Sequence, residues 1–246
     1  MALLEIQNVS KSFDGEKIIE DISIDLHQGE IVSLLGVSGG GKTTLFNIIS
    51  GLKRPGQGRV LLDGEDVTGR PGTVSYMLQK DLMLPYRTME DNVALPLLVQ
   101  GMKKKEAREK AASYFEQFGL AGTEKMYPAQ LSGGMKQRAA LLRTYLFSEK
   151  VALLDEPFSA LDMLTKRSMH QWYLEVMEKI QLSTFFITHD IDEAILLSDR
   201  IYLLTGRPGR ISKEIVIGEG RPRGEEFALT ENFLNYKKEI LEHLKE

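Results

Sequence analysis

Gly36-Val37-Ser38-Gly39-Gly40-Gly41-Lys42-Thr43 is the stretch that decides the fold. It follows the apolar run Ile31-Val32-Ser33-Leu34-Leu35 and precedes Thr44-Leu45-Phe46-Asn47-Ile48-Ile49, which reads as a helix. Strand, glycine loop, Lys-Thr and helix together form the setting in which such a loop cradles phosphate. Glycines let successive backbone N–H groups turn toward an anion without interference from Cβ atoms. The helix N-terminus adds its partial positive charge. Lys42 is placed to reach β- and γ-phosphates, and the Thr43 hydroxyl to ligate Mg²⁺. Gly36, Ser38, Gly39, Gly40, Gly41 and Thr44 complete the predicted nucleotide-binding loop.

Composition narrows the setting. A chain of 246 residues, 42% hydrophobic and 27% charged, is ordinary for a globular α/β protein of one large domain or two small ones. A formal net charge of -4 gives no reason to expect nucleic-acid binding. The chain has no cysteine, which excludes disulfides and thiolate metal sites. Met1-Ala2-Leu3-Leu4-Glu5-Ile6-Gln7 lacks the basic region and long apolar core of a signal peptide. No apolar run approaches the roughly 18 residues of a membrane span. The expectation is a cytosolic protein that, if it works at a membrane, docks on a partner embedded there.

Leu3 to Phe13 and Ile18 to Leu26 read as strands joined by an Asp14-Gly15 turn, and Val60–Leu62 and Val74–Leu78 as short strands. From Thr88 to Phe147 the chain is mostly helix-like. Within it, Lys103 to Phe118 carries Ala107, Ala111, Tyr114, Phe115 and Phe118 at helical spacing. Strand character returns at Val151–Leu154 and Thr184–Thr188, and the tail from Phe227 to Glu246 places Phe233, Tyr236, Ile240 and Leu244 on one helix face. This βα alternation predicts an α/β fold with a largely parallel sheet and helices on both faces. An antiparallel β subdomain precedes the sheet and a helical insertion interrupts it. We expect a single domain over 1–246: a catalytic core at about 1–79 and 148–205, the insertion at 80–147, and a C-terminal strand and helix at 206–246.

Two further motifs carry chemistry. Val151-Ala152-Leu153-Leu154-Asp155-Glu156 is a buried strand ending in two carboxylates. Such a strand can deliver Asp155 to the sheet edge beside the glycine loop to hold Mg²⁺, and Glu156, pointing differently, to accept a proton from an attacking water. Without the loop, the same residues read as a strand ending in an acidic turn. Leu131-Ser132-Gly133-Gly134-Met135-Lys136-Gln137-Arg138 reads as a second helix start, with Ser132 as N-cap and accessible amides at Gly133 and Gly134. Alone it reads as an ordinary capped helix.

In order, the glycine loop, Gln79, Ser132-Gly133-Gly134, Asp155-Glu156, Ser159-Ala160-Leu161-Asp162 and His189 resemble the nucleotide-binding subunit of ATP-binding cassette transporters over nearly the whole chain. The resemblance implies ATP hydrolysis with Glu156, His189 and Lys42 as catalytic residues. It implies that Phe13 stacks on adenine, that Gln79 senses Mg²⁺ and water, and that His189 contacts the γ-phosphate. Ser132 and Gly134 would contact ATP bound by the other subunit of a head-to-tail homodimer, with Asp162 in the loop joining the two sites. As single residues, Phe13 also reads as a core aromatic at a strand end, Gln79 as a surface loop residue, and His189 as a histidine near a helix cap. Met135 and Thr205-Gly206-Arg207-Pro208-Gly209-Arg210-Ile211 resemble a bacterial importer group serving nitrate, sulfonates and taurine. The implied partners are a transmembrane permease and, indirectly, a solute-binding protein, at the cytoplasmic face of the cell membrane. The alternatives are an exporter or lipoprotein-release ATPase and a non-transport ATPase switch acting on ribosomes or DNA. A final expectation concerns Gln79-Lys80-Asp81-Leu82-Met83-Leu84-Pro85-Tyr86. Its Leu82, Met83, Leu84 and Tyr86 are expected to be exposed and to line a groove for a short permease helix, the alternative being that they pack under the helical insertion.

Overall fold

A computed structural model describes residues 2–244. The chain begins with β1 (Leu4–Phe13), β2 (Glu16–Leu26) and β3 (Ile31–Gly36), then α1 (Lys42–Ile49). β4 (Gln57–Leu62), β5 (Glu65–Asp66) and β6 (Ser75–Met77) follow. Four helices come next: α2 (Met89–Val93), α3 (Leu95–Val99), α4 (Lys104–Ala112) and α5 (Gly133–Phe147). β7 (Val151–Asp155), α6 (Met163–Ile180), β8 (Ser183–Thr188), α7 (Ile191–Leu197), β9 (Arg200–Thr205), β10 (Arg210–Val216) and α8 (Glu231–His243) complete the fold.

Two sheets organise these elements. An antiparallel sheet has the order β2-β1-β4-β5, and a six-stranded sheet the order β10-β9-β3-β8-β7-β6. The latter is parallel from β9 to β6 and antiparallel at its β10 edge. The parallel strands read as unbroken apolar runs because both of their faces are covered. Successive side chains leave on opposite sides. Val151, Leu153, Phe185 and Ile187 enter the core shared with β1, β2 and α1. Ala152, Leu154 and Phe186 enter the core shared with α4, α5 and α6. A third core joins β9 and β10 to α7 and α8, where Phe233 and Ile240 are buried and Tyr236 and Leu244 pack against them.

Three local expectations are corrected. The helix expected over Lys103–Phe118 stops at Ala112. Tyr114 N–H turns to Ala111 O and Phe115 N–H to Ala112 O, which tightens the chain and delivers Phe115 and Phe118 to the core. The tail helix starts at Glu231 because the Thr230 hydroxyl caps it, accepting from Phe233 N–H at 3.2 Å. The expected helix beyond Leu244 lies outside the described residues.

The third correction concerns Met83. It is buried in the helical core, while Leu82 and Tyr86 are exposed and Leu84 is half-buried. Arg143 explains the split: it donates to Leu82 O and Asp81 O and stands 3.8 Å from Met83 Sδ, pinning the segment with Met83 turned inward. Met83 therefore acts in packing and does not line a docking groove. Met83→Ala should lower unfolding stability by about 2 kcal/mol, the low end for a methionine deletion at the margin of a core. Urea denaturation checks this, and an unchanged midpoint would return Met83 to the surface.

Candidate active site

The end of β3 and the start of α1 hold the glycine loop. Gly41 has φ 94°, and a Cβ there would meet Ile19 Cγ2 at 2.4 Å, so β2 packs against the loop too closely for any other residue. The hairpin between β9 and β10 supports the loop from the other side. A Cβ on Gly209 would sit 2.2 Å from Gly40 O, and Gly209 N–H donates to Ile18 O at 2.8 Å.

Lys42 is 9% exposed and its ammonium folds back onto the loop, donating to Gly36 O at 2.7 Å and Val37 O at 2.8 Å. Burial lowers its pKa, and the nearby Glu156 and Asp155 carboxylates oppose that shift. Ser38, Gly39, Gly41, Lys42, Thr43 and Thr44 line a cavity of about 570 Å³ together with Asp155, Glu156 and His189.

The carboxylates arrive as the strand periodicity requires, with one addition. Asp155 ends β7 and accepts from the Tyr76 hydroxyl at 3.2 Å. Burial pushes its carboxyl upward and Glu156 adds to that, while Tyr76 and Lys42 pull it down; the net shift is upward. Glu156 has φ 47°, a left-handed conformation that turns its side chain out of the strand alternation and into the cavity. Its Oε2 accepts from Gln79 Nε2 at 3.0 Å and lies 3.4 Å from His189 Nδ1. Residues far apart in the chain thus meet at one carboxylate.

Other expected residues stand elsewhere. Ser132 caps α5, accepting from Met135 N–H at 3.3 Å, and Gly133 and Gly134 approach Leu161, Thr165 and Met169, away from the glycine loop. Asp162 caps α6, accepting from Thr165 N–H at 3.1 Å. Phe13 does not line the cavity; its ring is 36% exposed and lies beneath Lys53 Nζ at 4.5 Å and Lys11 Nζ at 5.3 Å. Sequence reasoning missed Ile18 and Ile187, which line the cavity, and Tyr76, which orients Asp155. Only the β6–β7 register, Tyr76 opposite Leu153, brings that hydroxyl to Asp155.

The residues fit a nucleotide and a divalent cation. Beside the carboxylates the cavity lining brings the glycine loop and the Lys42 ammonium. Among the described residues no group of three or more His, Asp or Glu side chains gathers to hold a metal alone. A cation held by Thr43, one carboxylate and the substrate's own phosphates suits Mg²⁺, which keeps few protein ligands.

A parallel sheet with a glycine loop, an antiparallel sheet beside it and helices between β6 and β7 define an ATP-binding cassette. The chain belongs to the ABC transporter family, whose model matches residues 19–159. It is 48% identical over 207 residues to the formylaminopyrimidine import ATP-binding protein ThiZ of Halalkalibacterium halodurans, covering 84% of this chain and 81% of that one. It is 36% identical over 247 residues to the nitrate import ATP-binding protein NrtD of Synechocystis sp., covering 96% and 93%. Among solved structures it is similar to the cassette MJ0796, a dimer in a post-hydrolysis state bound to ADP and Pi. That similarity has a TM-score of 0.73 and 27% identity over 88% of this chain and 100% of that one. ATP hydrolysis coupled to transport is the general activity of this family.

Proposed function

We propose that this chain is the ATP-hydrolysing subunit of a bacterial importer of a small solute, working as a head-to-tail pair under a membrane permease. The observation that carries the reading is the convergence of Lys42, Asp155, Glu156 and His189 on one cavity, with Gln79 bonded to Glu156. Lys42 and the loop amides bind and orient the phosphates, with Gly36, Ser38, Gly39, Gly40, Gly41 and Thr44 shaping the cradle. Thr43, Asp155 and Gln79 would hold Mg²⁺, which would neutralise phosphate charge when bound. Glu156 accepts the proton of the attacking water, and Gln79 and His189 hold its carboxylate in place. His189 also reaches the γ-phosphate. Catalysis is then mostly positioning and charge stabilisation.

The second half of each site comes from the partner subunit. Ser132, Gly133 and Gly134 present amides at the start of α5, close to Leu161 and the Asp162 loop. Met163 and Leu164, next to Asp162, are 75% and 77% exposed, the kind of surface a second copy would cover. Phe13, whose ring Lys53 now covers, stacks on adenine once that lysine moves aside.

The permease contact is supported by a separate groove. A cavity of about 430 Å³ is lined by Leu52, Leu82, Pro96, Val99 and Phe147, with Arg143 at its base. Val99 is 80% and Leu52 62% exposed, so the groove mouth is apolar and uncovered. Exposed apolar clusters of this kind mark contact surfaces. Among the described residues no helix is long and apolar enough to cross a membrane. We place the subunit on the cytoplasmic face, with a solute-binding protein acting on the far side.

Val99→Asp should leave ATP hydrolysis by the isolated subunit within about twofold, as expected for a surface change away from the site. It should uncouple hydrolysis from solute uptake in vesicles reconstituted with the permease that co-purifies with the subunit. Wild-type uptake would remove the groove from the reading, and absence of any ATPase activity in the unmodified complex would remove the reading itself.

A further inference from the structure

α6 begins at the Asp162 loop, which follows Glu156 in the chain, and α7 at the turn of His189, which lines the cavity; a set of ionisable side chains joins the two helices below those loops. Lys166 Nζ lies 2.6 Å from Asp190 Oδ2 and 2.7 Å from Glu193 Oε2. His170, one turn further along α6, places Nε2 3.3 Å from the same Glu193 oxygen. Its ring stands edge-on to Phe158 with centroids 4.9 Å apart, and Phe158 lies in the turn just after Glu156. Glu193 is 2% exposed. Burial drives its carboxyl upward, but the hydrogen bonds from His170 and Lys166 outweigh that and hold it below its ordinary range.

The arrangement matters because of what it anchors. His189 is 64% exposed, so packing does little to place its ring. Placement of its turn falls to the next residue. Asp190 Oδ1 accepts from Glu193 N–H at 3.1 Å, Asp190 N–H donates to Thr188 Oγ1 at 3.0 Å, and its second carboxylate oxygen takes the Lys166 ammonium. At the other end, Lys166 N–H donates to Asp162 O at 2.8 Å, so the lysine sits one turn from the loop assigned to the partner contact. A partly buried ion cluster holds two helices no more firmly than apolar side chains of similar volume would, but its directed contacts suit it to fixing their register.

We propose that Lys166, with Glu193 and His170, forms a clamp that positions His189 for the γ-phosphate and ties that position to the Asp162 loop. Lys166 and Glu193 are positioning residues: neither lines the glycine-loop cavity, and they act through His189. The inference rests on the reading of His189 as a γ-phosphate contact.

The test measures ATP hydrolysis, binding of a fluorescent ATP analogue and melting temperature for Lys166→Met, Glu193→Gln, His189→Ala and the Lys166→Met/His189→Ala pair. Lys166→Met should lower kcat by about 10–100-fold, the effect of a small misplacement transmitted from outside the chemistry, with KM and analogue binding unchanged. Glu193→Gln should follow in the same direction. In the His189→Ala background, Lys166→Met should change kcat by less than about twofold, because the residue through which it acts is gone. Independent, multiplying effects would overturn the clamp, as would wild-type kcat in Lys166→Met or a raised KM as its main defect. If Lys166→Met fails to fold, Lys166→Met/Glu193→Gln, which removes the cation and its most buried anion together, carries the same expectations. A His189→Ala variant with normal turnover would instead defeat the assignment of His189. Slow His189→Ala beside normal Lys166→Met would defeat the clamp alone.

Discussion

Glu156→Gln should leave the chain folded and able to bind ATP while its turnover falls by about 10²–10⁴-fold, the usual worth of a general base. Glutamine matches glutamate in shape, so the left-handed backbone at φ 47° and the 3.0 Å contact to Gln79 can both be kept. What is lost is the ability to take a proton. A cassette that binds ATP but cannot hydrolyse it should accumulate in the closed pair. Phosphate release gives the rate, and size-exclusion chromatography with Mg-ATP gives the assembly. A variant that stays monomeric, or one that turns over at near the normal rate, would sink the assignment of Glu156.

Mixing Ser132→Arg chains with Lys42→Ala chains should restore hydrolysis that neither variant shows alone. Lys42 lies in the glycine-loop cavity, while Ser132 starts α5 beside Leu161 and does not line that cavity. Within one chain the two residues therefore do not share a site. In a head-to-tail pair, one site of the mixed dimer carries both mutations and the other carries neither. Each homodimer should be nearly inactive. On the proposed reading, loss of Lys42 would remove the phosphate cation, and the bulk introduced by Ser132→Arg would obstruct the amides assigned to the partner's nucleotide. Recovered activity in the mixture supports sites shared between subunits. Activity no higher than either homodimer would mean that the sites are not composite or that both must fire together, and nucleotide-dependent cross-linking between Ser132 and the partner's loop separates these.

Much of this site was legible in the chain because its determinants are local. The glycine loop is recognisable since the backbone conformation it needs, such as φ 94° at Gly41, is one glycine adopts freely. The caps at Ser132 and Asp190 act on amides three residues away. The apolar runs of β3, β7 and β8 announce strands covered on both faces. Even the face of α8 that meets the core follows from helical spacing alone.

Tertiary structure decided what depends on register and on long-range partners. Tyr76 meets Asp155 across 79 residues because β6 pairs with β7 at one register, and no local pattern encodes that choice. Arg143 reaches back 62 residues to Asp81, and this buries Met83 in a segment whose composition alone suggested an exposed lining. The helix expected to Phe118 gives way at Ala112 because core burial of Phe115 and Phe118 outweighs the helical preference of the intervening residues. The lysine that joins Asp190 to Glu193 lies on a different helix, and it stands at its post only when α6 and α7 have packed. Sequence by itself determined the glycine loop, the strands and the Ser132 cap, since each is set by backbone preferences within a few residues. Packing determined which side chains meet, since a contact between distant residues exists only once the sheet has chosen its strand order.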